Sequence, residues 1–146
     1  AEALLYAADR ANHVETVIKP ALANQCVVFK DRYIDSSIAY QGGGRVLSGQ
    51  EIARISRWAT DGLTPTLTIL LDLPAQIGFG RFAERDRLES EPLDFHERVR
   101  STFLERAALY SDRYLVVDAT QSKEDISAQI LERVLRLNSI SRLKDK

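Results

Sequence analysis

Three short, mostly apolar runs, separated by stretches with helical periodicity, constrain the fold of this chain more than any other feature. The runs are CVVF at 26–29, TLTILLDL at 66–73 and YLVVD at 114–118. Such runs are typical of strands buried on both faces, which occur in parallel sheets covered by helices. The alternation of strand and helix therefore predicts one α/β domain over residues 1–146, with a parallel sheet flanked by helices.

Helical patterns fill the segments between the runs. Apolar residues recur every 3.6 or so positions over residues 1–22, which predicts a helix that Pro20 kinks or ends. Ser48 and Glu51 have the spacing of a capping box, so we expect a helix that begins there and that Gly62 ends. Further helices are predicted to begin at Pro74, after Glu91 and Pro92, and after Ser122, which Asp125 helps to cap.

Two local expectations concern glycines and the tryptophan. The cluster Gly42, Gly43 and Gly44 predicts a tight turn with positive φ. Trp58 is expected on the apolar face of the capped helix, in the core or in a dimer interface.

Composition argues against several classes of partner. The chain has 20 basic and 21 acidic residues, and its formal charge of -1 gives no reason to expect nucleic acid or a membrane as a partner. Cys26 is the only cysteine, which excludes an internal disulfide and indicates a reducing compartment, as in the cytoplasm. No apolar run approaches the roughly 20 residues that span a bilayer. The only histidines, His13 and His96, lack the spacing of metal ligands.

Asp31, Arg32 and Tyr33 directly follow the first apolar run. Because ligands bind at the carboxyl ends of strands in open parallel sheets, we expect these residues where a substrate would bind. The alternative is an ordinary Asp–Arg pair on the surface.

Tyr6 and Arg10 lie four residues apart, so they are neighbours on the first helix, on a different face from its apolar stripe. A planar base could stack on Tyr6 while Arg10 donates to a carbonyl oxygen of that base. The alternative is a pair that serves only packing and solvation.

Arg81, Arg85 and Arg87 place three guanidinium groups within seven residues. Cationic side chains that close over a phosphoryl group in transfer stabilise its charge. The alternative is a solvated helix end with favourable charges near its carboxyl terminus.

Four segments, in this order, resemble the motifs of bacterial thymidylate kinases, which phosphorylate dTMP to dTDP: LLYAADRANHV, DRYIDSSIAYQGGGR, RDRLESEPLDF and VVDAT. The resemblance implies a P-loop nucleoside monophosphate kinase fold, ATP with Mg²⁺, dTMP as acceptor, and a homodimer. The G-x-x-x-x-G-K-[ST] loop does not occur in the sequence. We therefore expect the first strand and its phosphate-binding loop to be missing from this chain, and the chain alone to be inactive.

The resemblance also implies roles at the acceptor site. Tyr6, where the family more often has phenylalanine, and Arg10 would hold thymine, and Ser37 would bond the base edge. Tyr40 would lie under the sugar and exclude a 2′-hydroxyl. The implied substrate-binding residues are Tyr6, Arg10, Arg32, Ser37, Tyr40 and Gln41.

Catalysis and ATP binding are implied for other residues. Arg32 would clamp the acceptor phosphate, and Asp31 would support Mg²⁺ through water. In a lid at 81–92, Arg85 and Arg87 would close over the ATP phosphates. The residues implied to contact adenine are Arg81, Thr120 and Gln121, the last two largely through backbone groups.

Two other functions remain open. A deoxynucleoside kinase would share the architecture and an arginine after the same strand, but its acceptor has no phosphate. A non-catalytic nucleotide-binding or dimerisation module would lack the phosphate-binding loop altogether.

Overall fold

The computed structural model describes residues 1–43, 48–79 and 91–137. The chain divides into two compact units. The first comprises Ala1–Thr64 with Ser101–Phe103, and the second comprises the described residues of Pro65–Arg100 and Leu104–Lys146. The single domain expected over 1–146 stays a prediction.

The first unit begins with a nearly continuous helix. It consists of α1 (Glu2–His13), a π-helical turn (Val14–Ile18) and α2 (Lys19–Ala23), which confirms the helix predicted over 1–22. Pro20 lies in the first turn of α2, where its missing N–H is tolerated, so it does not end the helix. Ala7, Val14 and Ile18 are buried as expected, whereas Leu4 and Leu22 are 60% and 45% exposed.

The segment Cys26–Phe29 does not form the predicted buried strand. The Cys26 N–H donates to the carbonyl of Ala21 at 3.0 Å and closes the end of α2. Val27 and Phe29 are 47% and 79% exposed. An apolar run becomes a strand only beside a hydrogen-bonding neighbour, and no strand of the described residues pairs with it.

A second helical layer completes the first unit. It contains α3 (Ile34–Ser37), a π-helical turn (Ile38–Gly43) and α4 (Gly49–Ala59), which confirms a helical segment over 34–41. Ile34, Ile38 and Ile52 form its buried core. The capping box is confirmed, because Ser48 Oγ accepts from the Glu51 N–H at 3.2 Å and Glu51 Oε2 accepts from the Ser48 N–H at 3.3 Å. Gly62, at φ 71°, ends α4 as predicted.

Gly42 is required for space rather than for a turn. Gly42 and Gly43 belong to the π-helical turn, and among the described glycines only Gly62 has positive φ, so the predicted tight turn is wrong for these two. Gly44 lies outside the described residues. A Cβ at Gly42 would lie 2.7 Å from the Cα of Gly49. The missing side chain therefore lets the π-helical turn pass directly over the start of α4.

The second unit contains a parallel pair of strands. β1 (Thr68–Asp72) lies beside β2 (Tyr114–Asp118), with Thr68 opposite Tyr114 and Asp72 opposite Asp118. Both predicted strands are confirmed, although β1 is shorter than the run at 66–73. Leu71 and Val116 are 52% and 44% exposed, so these strands are not buried on both faces among the described residues.

The helices of the second unit begin where the sequence predicted. They are α5 (Ala75–Phe79), α6 (Leu93–Leu109) and α7 (Lys123–Leu135). Pro74 precedes α5, Pro92 occupies the N-cap position of α6, and Ser122 Oγ caps α7 by accepting from the Asp125 N–H at 3.1 Å. None of the helices in the described residues combines the length and the apolar composition that spanning a bilayer requires.

Two aspartates stand at the carboxyl ends of the strands. Arg100 donates to both oxygens of Asp72, from Nε at 2.7 Å and from Nη2 at 2.9 Å. This bidentate pair lowers the pKa of Asp72, although desolvation and the charge of Asp118 oppose the shift. Asp118 accepts from the hydroxyl and N–H of Thr120, which lowers the pKa of Asp118. The Asp72–Arg100 pair thus connects the end of β1 to α6.

Replacing Gly42 with alanine should destabilise the protein. In an ordinary helix this change gains about 0.5–1 kcal/mol, but here the new Cβ would press against the backbone of α4, which yields less than a side chain would. We expect a net loss of about 1–3 kcal/mol in the free energy of unfolding, measured by urea denaturation. The matched control is Gly78→Ala in α5, whose Cβ would meet Leu73 Cδ2 at an ordinary 3.5 Å. Equal stability of the two variants would contradict the assigned close contact.

The Asp72–Arg100 pair predicts a pH-dependent contribution to stability. The folded-state pKa of Asp72 lies below its unfolded value of about 3.9. The ion pair therefore contributes its full stabilisation at pH values above the unfolded pKa, and this stabilisation is lost as the pH falls through the folded-state pKa. Asp72→Asn should therefore cost about 1 kcal/mol at pH 7 and progressively less below pH 4.

The measurement for this pair is chemical denaturation of wild type and variant across that pH range. Glu97→Gln is the control, because Glu97 lies 4.0 Å from the same guanidinium and makes a more exposed contact. A loss for Asp72→Asn that is as large at pH 2.5 as at pH 7 would argue against the ion pair.

Candidate functional site

A buried guanidinium group lies at the centre of the first unit. Arg10 is only 9% exposed. Its Nη2 donates to Ser37 Oγ at 2.5 Å, its Nη1 donates to Ser56 Oγ at 3.4 Å, and its Cζ lies 5.8 Å from the ring centroid of Tyr33. Burial lowers the pKa of Arg10, and the charges of Tyr33 and Asp9 oppose this shift.

The two serine partners of Arg10 use only part of its hydrogen-bonding capacity. Two serine hydroxyls occupy fewer N–H donors than a guanidinium presents. Among the described residues, no carboxylate pairs with Arg10. The charge of Asp9 offsets only part of the cost of burying this cation, and a ligand carrying carbonyl oxygens or a negative charge would offset more of it.

Arg10 lies on the buried face of α1, which corrects the expectation of a separate face. It follows Ala7 by three residues and precedes Val14 by four, and all three are buried. Tyr6 is 43% exposed, and no hydrogen bond or ring contact in the described part of the chain joins it to Arg10. In place of the predicted Tyr6–Arg10 pair, the structure has a buried Arg10 and a half-exposed Tyr6 ring that do not contact each other through a hydrogen bond or a ring contact.

The face of α4 that meets Arg10 is polar. Ser56 and Thr60 are 1% and 0% exposed, and the Thr60 hydroxyl donates to the carbonyl of Ser56 at 3.0 Å. Sequence reasoning missed both residues. The signal was the spacing of Ile52, Ser56 and Thr60 at successive intervals of four residues, which places both polar residues on the core-facing side of α4 with Ile52. Trp58, expected in the core or a dimer interface, is 86% exposed, so the core alternative is wrong.

Tyr33 connects the Asp31–Tyr33 segment to the chain beyond α4. Its hydroxyl donates to the carbonyl of Leu63 at 3.2 Å. Burial raises the pKa of Tyr33, although a hydrogen bond with Thr60 and the charge of Arg10 oppose the rise. The hydroxyl bonds therefore fix the ring that borders Arg10.

Arg32 and Tyr40 form a second pair at the exposed edge of the same unit. The Cζ of Arg32 lies 4.6 Å from the ring centroid of Tyr40, within cation–π distance, and its Nε donates to Ser36 Oγ at 3.4 Å. The backbone of Arg32 is left-handed, at φ 56°, a strained conformation for this residue type. Both Arg32 and Asp31 are exposed and accessible to a ligand.

One helical segment carries partners from both pairs. Ser37 bonds the buried Arg10, and Tyr40, one turn later, stacks with Arg32. Gln41 is 5% exposed, and its amide donates to Glu2 Oε1 at 3.1 Å. The structure thus connects Arg10 with Ser37 and Arg32 with Tyr40, while Gln41 is engaged by α1.

The predicted ATP-binding residues of the second unit are held by local bonds. Thr120 donates to Asp118 from its N–H at 2.8 Å and from its hydroxyl at 2.7 Å. Gln121 Oε1 accepts from Gln129 at 2.7 Å, which ties this loop to α7. Arg81, Arg85 and Arg87 lie outside the described residues.

The described residues contain no group of three or more histidine, cysteine, aspartate or glutamate side chains arranged to hold a metal ion. Mg²⁺ retains several waters and takes few protein ligands, so a single exposed carboxylate such as that of Asp31 is chemically suited to contact a hydrated Mg²⁺ ion.

Comparison with known proteins identifies the family. The family model described as Thymidylate kinase matches residues 1–130. The chain is 56% identical over 141 residues to a protein named thymidylate kinase from Clavibacter michiganensis subsp. michiganensis, covering 94% of this chain and 67% of that relative. It is 50% identical over 137 residues to the Cutibacterium acnes protein of the same name, with 94% and 67% covered.

A more distant relative bears the same name. The Lactobacillus helveticus thymidylate kinase is 47% identical over 135 residues, covering 89% of this chain and 64% of that protein. The chain thus spans about two thirds of the length of the curated relatives it matches. With the family match over most of its length and identities near one half, the chain belongs to the thymidylate kinase family.

Proposed function

We propose that the chain carries the acceptor site of a kinase that transfers the γ-phosphoryl group of ATP to dTMP and releases dTDP. The observation that carries this proposal is the buried Arg10, bonded to Ser37 on the helical segment whose Tyr40 stacks with Arg32. A base-recognition group and a phosphate-recognition group are thereby supported by one element. The names of the relatives point to the same reaction.

Arg10 and Ser37 recognise the base. A guanidinium donates only, so it selects the carbonyl oxygens of thymine over the exocyclic amino group of cytosine. Its burial strengthens each hydrogen bond to the ligand, because little water competes at 9% exposure. Tyr6 offers its half-exposed ring for stacking, and Gln41 lines the same segment.

Arg32 and Asp31 serve the phosphate. The planar guanidinium of Arg32 suits a bidentate clamp on the acceptor phosphate, and Tyr40 supports that plane from below, at the position of the sugar. Asp31 would support Mg²⁺ through water, and the metal ion, when bound with ATP, would supply neutralisation of charge on the phosphate oxygens. Holding the acceptor oxygen in line with the phosphoryl group is the main contribution of these residues.

The remaining roles complete the proposal. Arg85 and Arg87 neutralise the charge of the phosphoryl group in transfer, while Arg81, Thr120 and Gln121 contact adenine. The protein acts as a cytoplasmic homodimer. Trp58, 86% exposed on α4, is the natural candidate for the dimer interface.

A direct test compares acceptors in the protein expressed from its complete reading frame, with ATP and Mg²⁺. We expect phosphorylation of dTMP and none of thymidine, because the clamp of Arg32 needs a phosphate. Turnover of thymidine but not of dTMP would identify a deoxynucleoside kinase. Nucleotide binding without any transfer would identify a non-catalytic module, and either result would refute the proposal.

Replacing Arg32 with alanine should reduce kcat/KM for dTMP by about 10²-fold or more, because the acceptor phosphate loses its clamp. Arg32→Lys should recover only part of the rate, since an ammonium keeps the charge but not the planar fork. The matched control is Arg54→Ala, which removes an exposed arginine from α4. Steady-state kinetics with dTMP as the varied substrate provide the measurement, and near-normal turnover by Arg32→Ala would refute its assigned role.

A further inference from the structure

The guanidinium of Arg10 is held by side chains from two different helices. Ser37 of α3 accepts from Nη2 at 2.5 Å, and Ser56 of α4 accepts from Nη1 at 3.4 Å. Ser37 belongs to the sequence motif and has an expected role at the base. Ser56 lies outside every motif and has no role in the proposed reaction.

Burial limits what Ser56 can do. Its side chain is 1% exposed, so a ligand entering the site has no surface of Ser56 to contact. Any effect of Ser56 on the ligand must therefore pass through Arg10. A single hydrogen bond leaves the plane of a guanidinium free to rotate, whereas bonds at both Nη atoms define that plane.

The setting of Ser56 also favours a specific role for its hydroxyl. Its neighbour one turn earlier on the same face, Ile52, is 2% exposed and belongs to the apolar core. A hydroxyl at such a position carries a desolvation cost that an alanine would avoid, unless it forms a useful hydrogen bond. Thr60 donates to the Ser56 carbonyl, which fixes this last turn of α4 opposite Arg10.

We propose that Ser56 is a positioning residue that sets the plane of the Arg10 guanidinium for a pyrimidine carbonyl, and so contributes to selection of a carbonyl-bearing over an amino-bearing pyrimidine nucleotide. This inference rests on the proposed function, in which Arg10 recognises the base. It adds a residue that acts on specificity without touching the substrate.

The test is a double-mutant cycle in the protein from its complete reading frame, with kcat and KM measured for dTMP and for dCMP. Ser56→Ala should raise KM for dTMP roughly fivefold, as for loss of one hydrogen bond of ordinary strength, with kcat little changed. The preference for dTMP over dCMP should narrow. In the Arg10→Ala background, Ser56→Ala should have no further effect on either quantity, because the group it positions is gone.

Controls separate positioning from packing. Ile52→Val removes a methylene from the same buried face of α4 and touches no part of the Arg10 bonds, so it should lower Tm while leaving the dTMP preference unchanged. Ser56→Cys leaves no cavity and replaces the hydroxyl with a larger, much weaker acceptor, and it should reproduce the KM effect even where Ser56→Ala folds poorly.

Three results would overturn the inference. In the first, both Ser56 variants have the wild-type KM for dTMP and the wild-type preference for dTMP over dCMP. In the second, Ser56→Ala raises KM for dTMP by the same factor in the Arg10→Ala background as in wild type. In both cases the proposed function stands if Arg10→Ala itself raises KM for dTMP. An unchanged KM for Arg10→Ala would instead refute base recognition by Arg10, and with it both proposals.

Discussion

The first unit depends on a positive charge enclosed by helices. Arg10 lies on the side of α1 that faces the core, and its environment supplies hydroxyls and an aromatic ring rather than a carboxylate among the described residues. Partial compensation of this kind keeps a cation in place without neutralising it. The helices around Arg10 consequently serve two purposes, since they bury apolar side chains and they fix the orientation of the guanidinium through serine hydroxyls.

Two similar apolar runs in this chain differ in structure, since one forms a strand and the other does not. YLVVD forms a strand with the predicted bounds because β1 lies beside it, whereas CVVF has no strand beside it in the described part of the chain and is largely exposed. A run of apolar residues reports on burial and propensity but not on whether a partner strand exists. Helix starts were predictable in more detail, since Ser48, Pro92 and Ser122 act through local hydrogen bonds or backbone geometry that need no distant partner.

Local sequence was informative about part of the candidate site only. The motif around Asp31–Gln41 pointed to Arg32, Ser37 and Tyr40, and the structure indeed links Ser37 with Arg10 and Tyr40 with Arg32. Ser56 and Thr60 were not predicted as site residues, because their position beside Arg10 depends on the packing of α4 against α1. Ser56 and Arg10 are 46 positions apart in the sequence, so no local pattern connects them. The face of α1 that carries Arg10 was misjudged for a related reason. A charged residue at a core-facing position looks like a solvated one until its partners are known.

At Arg32 the backbone conformation and the side-chain contact favour different residue types. A left-handed conformation, φ 56° here, suits glycine far better than a residue with a side chain. Glycine would relax this turn but remove the guanidinium that stacks on Tyr40, so under the function proposed above one exchange would raise the thermal stability and weaken binding of the acceptor phosphate. Stability of the turn and the proposed clamp on the acceptor phosphate thus favour different residues at this one position.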